Sequence, residues 1–125
     1  MSLETFEIEN ILESIKDYCG VQEEETAFDN ELLMYTNNAF AVLAHIGVGP
    51  SVPLVVNNST VWSNLALDEK TSLAMVKTYI YLRVRRLFDA PQNSSLNTAM
   101  KETMDEFEWR LNAMADIPEV DREST

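Results

Sequence analysis

The chain has 125 residues, 46% of them hydrophobic and 24% charged, with a formal net charge of −12 and a single cysteine. That length holds one modest core, and the apolar fraction is that of a folded domain rather than a disordered one. The composition excludes an intrachain disulfide, a cysteine-pair zinc site, an apolar run of the ~20 residues a spanning helix needs, and tight gripping of duplex phosphates, which requires Lys and Arg in excess.

Charge falls in blocks. Ten acids stand against Lys16 alone between Met1 and Glu31, and no Asp, Glu, Lys or Arg occurs from Leu32 to Leu67. Four of the nine basic residues then gather between Lys77 and Arg86. The acidic start MSLETFEIEN lacks the basic-then-apolar order of a secretory signal, so a soluble protein of a reducing cytoplasm is expected.

The periodicity predicts an all-α fold, a compact bundle of about four helices in one domain over 1–125, with flexible ends at 1–7 and 118–125. In the first helix Ile8, Ile11, Leu12, Ile15 and Cys19 form an apolar stripe that stops near Gly20. Thr26 and Asp29 have the spacing of a capping pair for a second helix, in which Phe28, Leu32, Tyr35, Ala39, Val42 and Ile46 recur as far as Gly47. GVGPSVPLVVNNST then breaks helicity with glycine and proline, PLVV favours extended backbone, and a helical turn is expected from Trp62 to Leu65.

A third helix is predicted from an Asp68 cap to about Asp89, before Pro91. Its main stripe is Leu73, Val76, Ile80, Val84 and Leu87, while Met75, Tyr79 and Leu82 lie nearly opposite, the pattern of a central helix with two neighbours. PQNSS introduces a fourth helix with Leu96, Met100, Met104, Phe107, Leu111 and Met114 inward, the pairs Lys101–Asp105 and Glu106–Arg110 on its surface, and Pro118 as its stop.

No residue pattern calls for catalysis. His45 is the only histidine and has no acid nearby in sequence, which favours a helix-end imidazole over a ligand. The acids at Glu23–Glu25 and from Glu102 to Glu108 read as solvated faces, and GVGP lacks the lysine and helix of a phosphate loop. At 100° per residue Arg85 stands apart from Arg83 and Arg86, so the three do not form one base-reading face; pairing with carboxylates of adjacent helices or subunits is the expectation.

Taken in order, FDNELLMYTNNAFAVLAHIGVGP, the tryptophan turn TVWSNL, VKTYIYLRVRRLFDAP and EWRLN resemble the small head-tail connector (adaptor, or head-completion) proteins of tailed bacteriophages and prophages, over about Ile11 to Asp116. Ala90 stands where the motif has proline in its LFDPP form, and Met1 to Asn10 has no counterpart. The resemblance implies an all-helical structural subunit without catalytic residues or cofactors. It implies a homo-oligomeric ring, commonly a dodecamer, below the portal protein, extending the DNA channel toward a tail-proximal connector protein. It places the protein in the host bacterial cytoplasm during assembly and afterwards at the virion head-tail junction, with DNA as a weakly contacted passing polymer and no membrane.

Ring closure needs two different patches on each chain. The loop Val48–Leu65, with Leu54, Val55, Val56 and Trp62, is one candidate, and Tyr79, Leu82, Arg83 and Arg86 of the third helix are the other; alternatively the loop folds over its own core. Glu23, Glu24 and Glu25 are candidate channel-facing acids, since like charge keeps a polyanion moving, and a dozen copies would sum to a formal charge of about −144. A function of another class is an acidic DNA mimic that occupies a DNA-binding protein, which would present carboxylates at phosphate-like spacing. An enzyme with a cryptic acid pair would need a deep pocket that separates two carboxylate pKa values.

Overall fold

A computed structural model of the chain describes residues 9–50, 52–67 and 71–115. The expected flexible ends, Ile8, Asp68 and Pro118 lie outside that set. Among the described residues there are four helices, α1 (Ile11–Tyr18), α2 (Asp29–His45), α3 (Leu73–Phe88) and α4 (Ser94–Ala115), with a 3-10 turn at Trp62–Asn64 in the long connection between α2 and α3. The all-α architecture matches the periodicity.

Local chemistry sets the helix boundaries. Asn10 caps α1 by accepting the Glu13 amide at 2.9 Å. At its other end Val21 N–H donates to Lys16 C=O and Gly20 N–H to Asp17 C=O, which closes a Schellman turn with Gly20 at φ 77°. Helix α2 ends in the same way: Val48 donates to Leu43, Gly47 to Ala44, and Gly47 has φ 90°. Both stops are the predicted glycines.

Two predicted starts are corrected. No side chain caps α2, because Asp29 turns back to pair with Lys16 at 2.9 Å instead of closing a box with Thr26. Helix α3 starts at Leu73, where the Ser72 hydroxyl accepts the Met75 amide at 3.2 Å. Asn93 performs the corresponding service for α4, accepting the Leu96 amide at 3.1 Å.

Helix α3 is central, packing most extensively against α2 and α4 and also touching α1. Val76, Tyr79, Ile80 and Val84 are all buried on it. The core joins them to Ile11, Leu12 and Ile15 of α1, Leu32, Ala39, Phe40 and Leu43 of α2, and Met104 and Leu111 of α4. Leu87 and Leu96 were expected inside but are half exposed, each lying in the terminal turn of its helix, where fewer neighbours cover it.

The uncharged connection folds over this core. Asn37 of α2 holds it in both directions, donating to Val56 C=O at 3.1 Å and accepting Val56 N–H at 2.6 Å. PLVV joins no strand among the described residues; the Asn37 amide instead takes both hydrogen bonds of the Val56 backbone. Further on, Ile11 N–H donates to Thr60 C=O and Trp62 N–H to Glu9 C=O, forming one antiparallel bridge between Asn10 and Val61. That bridge lays Trp62 across α1.

Candidate functional site

Helix α3 divides its polar residues between two sides. Lys77, Tyr81 and Arg85, one turn apart, face α1: Lys77 Nζ pairs with Glu9 at 2.8 Å and lies 5.3 Å from the Trp62 ring centroid. Arg85 sits 6.0 Å over the Tyr18 ring, which itself stacks on Tyr81 at 5.0 Å. Tyr79, Arg83 and Arg86 face the other way. The Tyr79 hydroxyl donates to Glu108 at 3.0 Å, Arg83 donates weakly to the Tyr79 oxygen at 3.5 Å and to Asn38 at 3.3 Å, and Arg86 Nε donates to Asn97 at 3.1 Å. Arg83, Arg86, Leu87 and Met104 line a recess of about 240 Å³.

Ion pairing avoids this turn. Lys16, Lys77, Lys101 and Arg110 each have a carboxylate within 4 Å, whereas Arg83, Arg85 and Arg86 have none among the described residues. The buried Arg83 Nε has no hydrogen-bond partner at all. Sequence reasoning expected carboxylate partners; within the chain the arginines meet amide oxygens and rings instead.

The opposite side of the bundle is acidic. Glu9, Glu13, Lys16, Asp17 and Glu23 line a pocket of about 460 Å³ beside α1. Lys16 is buried and fully engaged, with Asp29 at 2.9 Å and the Glu23 carbonyl at 2.9 Å. Hydrogen bonding to the Glu23 carboxyl raises the pKa of Glu13, with desolvation and the Glu23 charge adding to the shift and Lys16 opposing it. Glu24 and Glu25 are exposed in the same loop, where Glu25 accepts the Ala27 amide at 2.9 Å.

Several of the proposed contact residues are interior. Trp62 and Tyr79 are 0% exposed and Val56 3%, so in this conformation they present nothing to a neighbour; core packing against Phe40, Tyr81 and α4 occupies them. Leu54 and Leu82 are half-buried, while Val55 is 75% exposed. Exposed apolar residues missed from the sequence are Met34, Val52 and above all Trp109, 72% exposed beside a depression lined by Ile46, Asp105, Glu108 and Asn112. The signal was present: Trp109 lies 200° around α4 from Phe107 of the buried stripe.

Among the described residues no cluster of His, Cys, Asp and Glu suits a metal, and no helix is long and apolar enough to cross a membrane. His45 is exposed in the last turn of α2. Burial pushes the Cys19 thiol up to about 11, with Arg85 opposing and Asp89 adding, so it is a poor nucleophile at neutral pH.

Residues 11–117 match the model of a family described as phage connector protein. The match spans all four helices, and the chain belongs to that family. No curated protein and no solved structure matches it.

Proposed function

We propose that this protein is a structural subunit of a phage or prophage head-tail connector that assembles as a ring below the portal and extends the channel for DNA. The family match across the whole helical domain carries this reading. The fold supports it by leaving apolar groups outside a closed core: Val52 and Val55 on the loop and Trp109 on α4. Aromatic and aliphatic anchors of this kind dominate protein contacts once their rims exclude water. The role requires no catalytic group.

The contact surface proposed from the loop is therefore Leu54 and Val55 with Val52, without Val56 and Trp62. From α3 it keeps Leu82, Arg83 and Arg86. Glu24 and Glu25 remain the proposed channel-facing acids; Glu23 is directed to Glu13. A lumen of like charge holds DNA by weak contacts only.

Electron microscopy of the protein mixed with its cognate portal tests the reading, and the expected result is a ring of density on the tail-side face of the portal. Val55→Asp and Trp109→Ala should weaken capture by the portal about tenfold or more while shifting the melting temperature little, as exposed side chains do. Absence of any ring or capture, together with binding to a DNA-binding protein that DNA competes away, would replace the connector with a DNA mimic.

A further inference from the structure

Resting on the ring reading, we propose that the Arg83–Arg86 recess of each subunit receives the Glu13–Glu23 acidic edge of a second copy, making the ring contact head-to-tail. The occupant follows from where charge is left over. The chain carries 21 acids and a net charge of −12, yet the cations it leaves without an internal carboxylate all lie in one turn of α3 among the described residues. Arg85 is covered by Tyr18, which leaves Arg83 and Arg86 facing the recess.

The recess is built for a carboxylate flanked by apolar atoms. Leu87 and Met104 complete its lining, and the terminal nitrogens of the Arg83 guanidinium make only long hydrogen bonds of 3.3 and 3.5 Å. A carboxylate meeting the two terminal nitrogens end-on supplies a bidentate pairing that the single amide oxygen of Asn38 does not. Met34, exposed, stands one helical turn from Asn38 on α2.

The complementary edge lies across the bundle. Among the described residues Glu13, Asp17 and Glu23 have no Lys or Arg within 4 Å, whereas Glu9 and Asp29 already hold Lys77 and Lys16. Hydrogen bonding to Glu23, with burial and the Glu23 charge, raises the proton affinity of Glu13 against the opposing charge of Lys16. An incoming guanidinium offsets the Glu23 charge. Since residues 77, 81 and 85 of α3 face the acidic side and 79, 83 and 86 face the basic side, the two patches point in opposite directions. Opposed, unlike patches generate heterologous contacts, which make a ring where the rotation closes, whereas a two-fold dimer needs one self-complementary patch.

A charge exchange tests this on the full-length protein, alone and with portal, using sedimentation velocity and electron microscopy at low and high salt. Arg86→Glu and Glu23→Lys should each weaken subunit association about tenfold or more, and the double variant R86E/E23K should recover it, because the reversed pair restores attraction. Arg86→Gln, with a thermal melt for every variant, separates lost association from lost folding. Normal ring formation by folded R86E and E23K overturns this contact and leaves the connector reading standing. Failure of the wild type to associate, alone or on portal, removes both. Loss in the single variants without recovery in the double overturns the pairing with Glu23, and loss of DNA retention with intact rings makes the recess a phosphate contact instead.

Discussion

Replacing Trp62 by Ala distinguishes an internal from an intermolecular role for the uncharged loop. The indole is 0% exposed, with the Phe40 and Tyr81 rings at centroid distances of 6.1 Å, Lys77 Nζ at 5.3 Å, and Nε1 donating to the Ser14 hydroxyl at 3.1 Å. Burying an aromatic side chain removes roughly 150–250 Å² from water, or about 4–6 kcal/mol at 25 cal/mol per Å². Trp→Ala in a core typically costs about 3–5 kcal/mol, because the cavity relaxes only in part. For a domain of this size about 1 kcal/mol corresponds to roughly 3–5 °C, so the melting temperature should fall by about 10–20 °C. Circular dichroism melts and urea midpoints measure it. Trp62→Phe should cost only about 1–2 kcal/mol, isolating the Ser14 hydrogen bond and the missing ring. A W62A protein that melts within about 3 °C of wild type but no longer assembles would show that the ring is an intermolecular contact and that this packing is wrong.

The buried ion pair makes an asymmetric prediction. Asp29→Ala should destabilise by about 2–3 kcal/mol, discounted for the partial exposure of Asp29, because it strands the Lys16 ammonium; Lys16→Met should cost less, about 0–1 kcal/mol, in urea melts of both. Alkaline pH should also be destabilising. Burial pushes Tyr79 and Tyr81 up to about 12 from an ordinary 10, and Cys19 to about 11 from 9, so the folded chain holds these protons longer than the unfolded one. Their stabilising contribution is complete below pH 9 and is lost as pH rises through 11 and 12, which urea midpoints against pH will show. A flat profile above pH 9 would contradict their burial.

The helices were legible from their 3.6-residue apolar period, and at the first two a glycine able to take positive φ marks the stop as well. Gly20 and Gly47 both fill that role. The starts were less legible, since Asn10, Ser72 and Asn93 compete with other short polar residues that cap equally well on paper. Asp29 shows why: its carboxylate has a better partner in Lys16, thirteen positions upstream, and no local rule reveals that contact. The loop presented the same difficulty on a larger scale. A segment without charge is compatible with burial in its own core or against another chain, and only the Asn37 clamp on Val56 and the Asn10–Val61 bridge decide for the core. Trp109 was overlooked for the opposite reason, because a tryptophan off the buried stripe is informative only once that stripe is fixed.

A core-forming loop explains how so small a first helix persists. Eight residues are too few for an isolated helix in water, where the first turn is an unfavourable nucleus. Helix α1 is held instead by the bridge through Asn10, by Trp62 laid across Ser14, and by Lys16 tied to α2. The same contacts fix the direction of the acidic edge, since Glu13 and Asp17 lie on the solvent side of the helix whose other side Trp62 covers. Electrostatics then acts over two ranges. Repulsion between subunits of net charge −12 is long-range and largely screened beyond about 8 Å in physiological salt, whereas an arginine meeting a carboxylate acts at contact distance. On the proposed ring contact, the cations left without a carboxylate in one turn of α3 among the described residues would let acidic subunits attract there while their acidic surfaces repel one another and DNA.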